Sequence, residues 1–453
     1  VPAKPRPWHD RRALTPDFQP NPLIDDPTQT LSHVYPMGSR VDERGHLLIG
    51  GCDALDLAAQ YGTPVFIVAE DDLRARARAY VDGFSALYGD CDVLFASKAF
   101  PCTAVYRVLA QEGLSCDVAS GGELALALRG GFDPARVYLH GNAKSLAELR
   151  FALESGVGHI VLDSLHDVER LEQVAAELGV TQEVLIRVTP DVSGETHAAI
   201  STGQANSKFG FGLADAPAAI DRVAESAHLH LVGLHCHIGS QLLALDPFTR
   251  AVDALAALGD FDVYNFGGGL GVAYQAAQEP PSIADYVATL AGAVKAALGT
   301  GKRILIEPGR SLVANSTVTL YTVETVKRNV STWVAVDGGM SDNLRPMLYG
   351  SKYEVAVASR MLGFGPGRQP KYELCQLAGK HCESGDVIAR DVLIDDPQPG
   401  DIIVTPATGA YGYAMANNYN GVTRPPVIFC RDGEARVVVR RETYEDLMVR
   451  DVE

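Results

Sequence analysis

The sequence predicts an α/β protein: an eight-stranded parallel (β/α)8 barrel of the TIM type over residues 63–313, followed by a mainly β domain over 314–453. Three observations carry this expectation. From about residue 63, apolar strand candidates alternate with amphipathic helical patterns in roughly eight units over about 250 residues, which suits a closed barrel better than an open sheet. Polar or glycine-rich residues follow the strands directly, as at Ser97-Lys98 and Gly267-Gly268-Gly269, and such barrels gather their chemistry at C-terminal strand ends. After about Val313 the pattern changes to short alternating runs such as Val318 to Val323 and Val427 to Phe429, as in antiparallel sheet.

The chain has 453 residues, 47% of them apolar, enough to fill two cores. Its 39 basic and 56 acidic residues leave a net charge of −17, which argues against nucleic acid or an anionic membrane as partner. No apolar run is long enough to span a bilayer, and Val1-Pro2-Ala3-Lys4-Pro5-Arg6-Pro7 lacks the apolar core of a signal peptide. A cytoplasmic protein is expected. The eight cysteines are scattered without zinc-ligand spacing and read as reduced thiols.

Residues 1–35, rich in Pro, Asp, Thr and Gln, read as an extended arm. The segment 36–62, with Leu47-Leu48-Ile49 and a short helical pattern from Ala54 to Tyr61, is expected to join the C-terminal β domain. Gly62-Thr63-Pro64 then breaks the chain before Val65-Phe66-Ile67-Val68, read as the first strand of the rhythm. The strands expected after it are Val93 to Ser97, Ser115 to Ala119, Val137 to Leu139, Ile160 to Leu162, Val184 to Val188, Leu231 to His235, Val263 to Phe266 and Ile304 to Ile306. Helical patterns such as Leu146 to Glu154 and Leu165 to Leu178 separate them.

One rim of the barrel therefore carries an amine, carboxylates, imidazoles and glycine turns. Lys98 closes an apolar strand, where partial desolvation is expected to lower its pKa toward the range in which a neutral amine forms an imine with an aldehyde, as a lysine does with pyridoxal phosphate. Asp117 ends the next strand. His235 and His237 share a strand face, placed for a metal, for stacking on a flat cofactor, or simply as core histidines satisfied by backbone. The turn Gly267 to Gly271 allows close backbone approach to a phosphate but lacks the spacing of a dinucleotide motif. Glu307 ends a strand and needs a cationic partner there, either a protonated ring nitrogen or Arg310. Further on, Arg345 and Tyr349 stand four apart, suited to a carboxylate if helical. Cys382-Glu383-Ser384-Gly385-Asp386 places a thiol and a carboxylate in a polar turn, and Thr408 to Tyr413 reads as a loop displaying an aromatic hydroxyl.

Together, from about residue 45 to the C-terminus, these motifs resemble the fold-type III pyridoxal-phosphate enzymes, with an alanine racemase-like fold, and within them the diaminopimelate decarboxylase family. The resemblance implies that Lys98 binds the cofactor covalently, that His237 of His237-Ile238-Gly239-Ser240-Gln241 stacks on its ring with Ser240 near the phosphate, and that Glu307 meets the ring nitrogen. It places Gly268, Gly269, Gly309 and Arg310 at the phosphate, with Asp117 and Tyr411 also against the cofactor. Arg310, Arg345, Tyr349 and Tyr411 then hold the substrate, whose distal carboxylate faces the arginines, Glu383 meets its distal amine, and Cys382 protonates the carbanion. Cys382 and Glu383 are implied to enter from the other subunit of a homodimer. The stretch Ile200 to Gly210 resembles the family's mobile loop, with Asn206 where an acidic residue is expected.

The implied reaction is decarboxylation of meso-2,6-diaminopimelate to L-lysine and CO2, the last step of lysine biosynthesis, with no metal. Three rival readings differ in what they would require: a related decarboxylase acting on a carboxynorspermidine-like or siderophore-intermediate substrate, a catalytically silent paralogue, and a metal-dependent barrel hydrolase built on His235 and His237.

Overall fold

A computed structural model describes residues 31–192, 207–361 and 369–452. Strands Cys91–Ala96, Ser115–Val118, Val137–Leu139, His159–Leu162, Gln182–Thr189, Leu229–His235, Val263–Asn265 and Arg303–Ile306 each pair in parallel with the next. The last pairs with the first, Ile304 opposite Cys91, and so closes an 8-strand barrel. These are the eight expected after Val65 to Val68.

That first strand lies elsewhere. Val65–Ala69 sits between Thr317–Arg328, antiparallel, and Val427–Arg431, parallel, in the sheet of the mainly β region. All five of its residues are buried, and a strand covered on both faces reads as the same continuous apolar run in either sheet. The rest of that sheet is Val387–Asp395, Tyr372–Ala378, Thr332–Val336 and Glu434–Val439, with Ile402–Pro406 pairing alongside Thr317–Arg328 and Ala356–Val357 pairing antiparallel with Ile402–Pro406. Upstream, Arg40–Val41, Leu47–Ile49 and Cys52–Asp53 form a separate 3-stranded sheet, whose Leu47 and Ile49 pack with Leu320, Val404 and Ile428.

The helices around the barrel begin where the sequence supplies caps. Ser145 and Ser282 close capping boxes with Glu148 and Asp285, and Ser120 and Ser164 accept single backbone bonds. Gly131, Gly156 and Gly179 end three of them in the left-handed conformation.

Inside the barrel, Leu94, Tyr138, Val161, Leu185, Val263 and Leu305 belong to one buried apolar cluster. Because a strand's side chains alternate with period two, the residue two further along faces the same interior, one layer nearer the C-terminal mouth. On five of the eight strands that rule delivers His140, Asp163, Arg187, Asn265 and Glu307, all buried polar groups. The apolar plug below and the polar layer above are one consequence of strand geometry, and the polar layer floors the site.

Candidate active site

A cavity of about 410 Å³ opens at this mouth, lined by Lys98, Asp117, His140, Arg187, His237, Ser240, Glu307, Arg310, Tyr349 and Tyr411 among others. Lys98 lies in a single 3-10 turn, Ser97–Ala99, directly after the first barrel strand. Its side chain is exposed to the cavity while its neighbours Ser97 and Ala99 are buried. The Ser97 hydroxyl donates to Glu123 at 2.7 Å, and the Tyr411 N–H donates to the Ala99 carbonyl at 2.9 Å, so the turn is tied to two other elements. The expected downward shift of the amine is overturned. Burial does act downward, but Tyr411, Asp117 and Glu307 outweigh it and hold the ammonium above the usual lysine value. The apolar strand before Lys98 says nothing about acids arriving from other strands.

Glu307 is the most heavily supported group. His140 Nε2 lies 2.9 Å from one of its oxygens, where Asn265 Nδ2 also donates at 2.7 Å, and His235 Nε2 lies 3.4 Å from the other. Burial works to protonate the carboxyl, but His140 and His235 reverse it and hold it well below the usual carboxylate range. His235 itself is pushed down to about 4, chiefly by burial, so at neutral pH it offers Glu307 an N–H rather than a charge. Arg310 makes no ion pair with Glu307; it donates to Ser240 Oγ at 2.8 Å and to the Tyr274 hydroxyl at 2.5 Å, and stacks over Tyr411 at 4.9 Å.

His237 Nδ1 accepts the Gly268 N–H at 3.1 Å, which leaves the ring proton on Nε2. Burial, then Lys98 and Arg187, keeps this imidazole neutral. His235 and His237 thus serve different partners, and the residues grouped closely enough to ligate an ion here are His140, His235 and Glu307. Gly267 and Gly269 have φ of 63° and 127°. A Cβ on Gly268 would lie 2.1 Å from the Glu307 carbonyl oxygen, so only glycine lets this turn press against the strand end that carries Glu307. A Cβ on Gly309 would meet that of Ala96 at 2.9 Å.

Residues 70–314 match the family model described as pyridoxal-dependent decarboxylase, pyridoxal binding domain. The diaminopimelate decarboxylase of Actinosynnema pretiosum is 46% identical over 432 residues, covering 92% of this chain and 95% of the relative. That of Bacillus subtilis is 43% identical over 431 residues, covering 91% and 97%. This chain belongs to the diaminopimelate decarboxylase family. Among solved structures, a diaminopimelate decarboxylase from M. jannaschii shares the fold with a TM-score of 0.85 and 31% identity, over 92% of this chain and 98% of that one. A Helicobacter pylori diaminopimelate decarboxylase complexed with L-lysine matches at 0.81 and 31%, over 87% and 98%.

The cofactor of such a decarboxylase is pyridoxal phosphate, and the donor set around this cavity fits it. An amine (Lys98), an ionised buried carboxylate (Glu307), a neutral imidazole (His237) and a glycine turn beside a guanidinium (Arg310) with an unpartnered buried Nε meet at one mouth. Gly268 and Gly269 border this group through His237 and Gly239 rather than lining the cavity themselves.

Of the expected substrate residues, Arg310, Tyr349 and Tyr411 line the cavity. Arg345 begins the helix Arg345–Tyr349 and is buried behind the lining, donating to the Tyr353 hydroxyl at 2.5 Å. Cys382 and Glu383 do not join the lining of their own chain. They are exposed on the loop between Tyr372–Ala378 and Val387–Asp395, where Asn420 accepts the Cys382 N–H at 3.0 Å and the Tyr419 hydroxyl donates to Glu383 at 3.4 Å. Most of the stretch expected to act as a mobile loop, including Asn206, lies outside the described residues. The sequence reading missed His140 and Arg187 as site residues, although the period-two rule from Tyr138 and Leu185 points to both. It also missed Tyr274 and Tyr353.

Proposed function

We propose that the chain is a pyridoxal-phosphate-dependent carboxy-lyase that converts meso-2,6-diaminopimelate to L-lysine and CO2, the last step of lysine biosynthesis, as a cytoplasmic homodimer with shared active sites. The observation that carries this reading is the meeting of Lys98, the ionised Glu307 and the Arg310 guanidinium around one cavity. When bound, pyridoxal phosphate supplies the electron sink for the charge left by departing CO2. Lys98 Nζ would hold the cofactor aldehyde and yield it to the substrate amine. Glu307, kept charged by its histidines, would hold a proton on the ring nitrogen, while the neutral His237 would lie against the ring and Ser240, Gly269, Gly309 and Arg310 would bind the phosphate. Asp117 and Tyr411 would flank Lys98.

Arg310 and Arg345, with Tyr349, would select a substrate with a distal carboxylate. Cys382 and Glu383 are exposed and outside their own chain's cavity. That position supports their service in a second copy's site, where Glu383 would meet the distal amine and the Cys382 thiol would deliver a proton to the carbon that lost CO2.

Borohydride reduction followed by peptide mapping, alongside assay of lysine from meso-diaminopimelate, tests this reading. A pyridoxyl group on Lys98 together with lysine formation is the expected result. Labelling without lysine would keep the cofactor and remove the substrate, and no labelling would remove both.

A further inference from the structure

Arg310 and Arg345 are both buried, 5% and 4% exposed. A buried guanidinium ordinarily finds a carboxylate, because an unpaired charge in low dielectric is costly. Among the described residues neither arginine has an acid within ion-pair distance. Their partners are phenols. Arg310 donates to the Tyr274 hydroxyl and Arg345 to the Tyr353 hydroxyl, each at 2.5 Å. The two phenol rings meet edge to face with centroids 5.2 Å apart. Arg345 also lies over the Tyr274 ring at 4.7 Å, and Arg310 over the same ring at 5.9 Å. Tyr274 follows the barrel strand Val263–Asn265, whereas Tyr353 follows the helix Arg345–Tyr349 of the β region. One continuous belt therefore joins a guanidinium from the barrel to one from the β region.

We propose that Tyr274 and Tyr353 are specificity-determining positioning residues that clamp Arg310 and Arg345 side by side as a paired receptor for the distal carboxylate of the substrate. The proposal rests on the decarboxylase reading above and adds to it the groups that aim the two cations. Two guanidiniums that share the Tyr274 ring, at 5.9 and 4.7 Å from its centroid, repel one another, and each phenol offsets that by presenting an oxygen lone pair and a negative ring face while leaving the net charge of two for the ligand. The Nε of each arginine is buried without a hydrogen-bond partner, so donor capacity remains for an anion. The Tyr274 phenol registers the same field: burial opposes its ionisation, and Arg310 and Arg345 overcome that and draw it below the usual tyrosine value.

Two anions belong to this cavity, a cofactor phosphate and a substrate carboxylate, and the test separates them. Glutarate, a dicarboxylate without amines, and cadaverine, a diamine without carboxylates, are titrated calorimetrically into cofactor-loaded wild type, Tyr274→Phe and Tyr353→Phe. Glutarate binding should weaken at least about tenfold in each variant, the size of a lost hydrogen bond to a charged group, with cadaverine binding and cofactor content unchanged. In turnover, KM for meso-diaminopimelate should rise by a similar factor with kcat within about threefold. Unchanged glutarate binding in the variants, no glutarate binding by wild type, or loss of cofactor in place of glutarate affinity would each overturn the proposal. Should one variant not fold, the other decides by the same criteria. Because the titrations need no turnover, absence of lysine formation would count against the decarboxylase reading and leave the receptor to be judged by binding.

Discussion

His140 Nε2 stands 2.9 Å from the Glu307 carboxylate, although the two residues come from strands on different sides of the barrel ring. The contact decides the charge state of the site. A buried acid left alone would keep its proton, and here the neighbouring imidazoles reverse that preference.

The sign of the resulting pH dependence follows. A carboxyl whose folded pKa is depressed stays ionised above it and loses its contribution only as the pH falls through that depressed value. His140→Phe keeps a ring beside His235 but removes the imidazole next to the carboxylate, so Glu307 should take up its proton at higher pH. We expect the acid limb of kcat/KM to move upward by roughly one pH unit, with the alkaline limb unmoved. An acid limb that stays in place would mean that Glu307 does not govern it.

A second prediction concerns backbone room. Gly268 is pressed against the Glu307 carbonyl, 2.1 Å from where a Cβ would sit, whereas Gly292, on the exposed side of the helix Ile283–Leu298, meets nothing within 4 Å. Gly268→Ala should therefore displace the turn and weaken pyridoxal phosphate binding by about tenfold or more, at a stability cost of about 1–3 kcal/mol. Gly292→Ala should raise stability by about 0.5–1 kcal/mol through helix propensity, with cofactor affinity unchanged. Cofactor titration and urea denaturation of both variants check the pair.

A third follows from the exposure of Cys382 and Glu383 outside their own chain's cavity. If they serve a second copy, Lys98→Ala and Cys382→Ala proteins should each be nearly inactive alone. Mixed in equal amounts and allowed to exchange subunits, they should regain about a quarter of wild-type activity, since half of the dimers would be mixed and each would hold one intact site. No recovery on mixing would place Cys382 in its own chain's site.

Much of the site was legible because its groups stand where a strand stops. Lys98, Asp117 and Glu307 each follow or end an apolar run, and the turn from Gly267 follows directly on Val263–Asn265, so local pattern alone marks a barrel mouth. The eight barrel strands were legible for the same reason. Val65–Ala69 was misplaced because burial on both faces erases the alternation that would have told one sheet from another.

Sequence by itself determined the strand and helix rhythm, the glycine turn and many of the reactive groups, since each depends on neighbours a few residues away. Only the tertiary structure decided how those groups are charged and aimed. Lys98 is held above its usual pKa by Tyr411, Asp117 and Glu307, all far from it in the chain. Glu307 is ionised by imidazoles 167 and 72 residues distant in the chain, His140 and His235. Arg345 reaches the barrel rim through Tyr274 and Tyr353. Electrostatic and hydrogen-bonding terms act through space over a few ångströms, and ring closure of the barrel is what makes residues far apart in the chain into neighbours at that range.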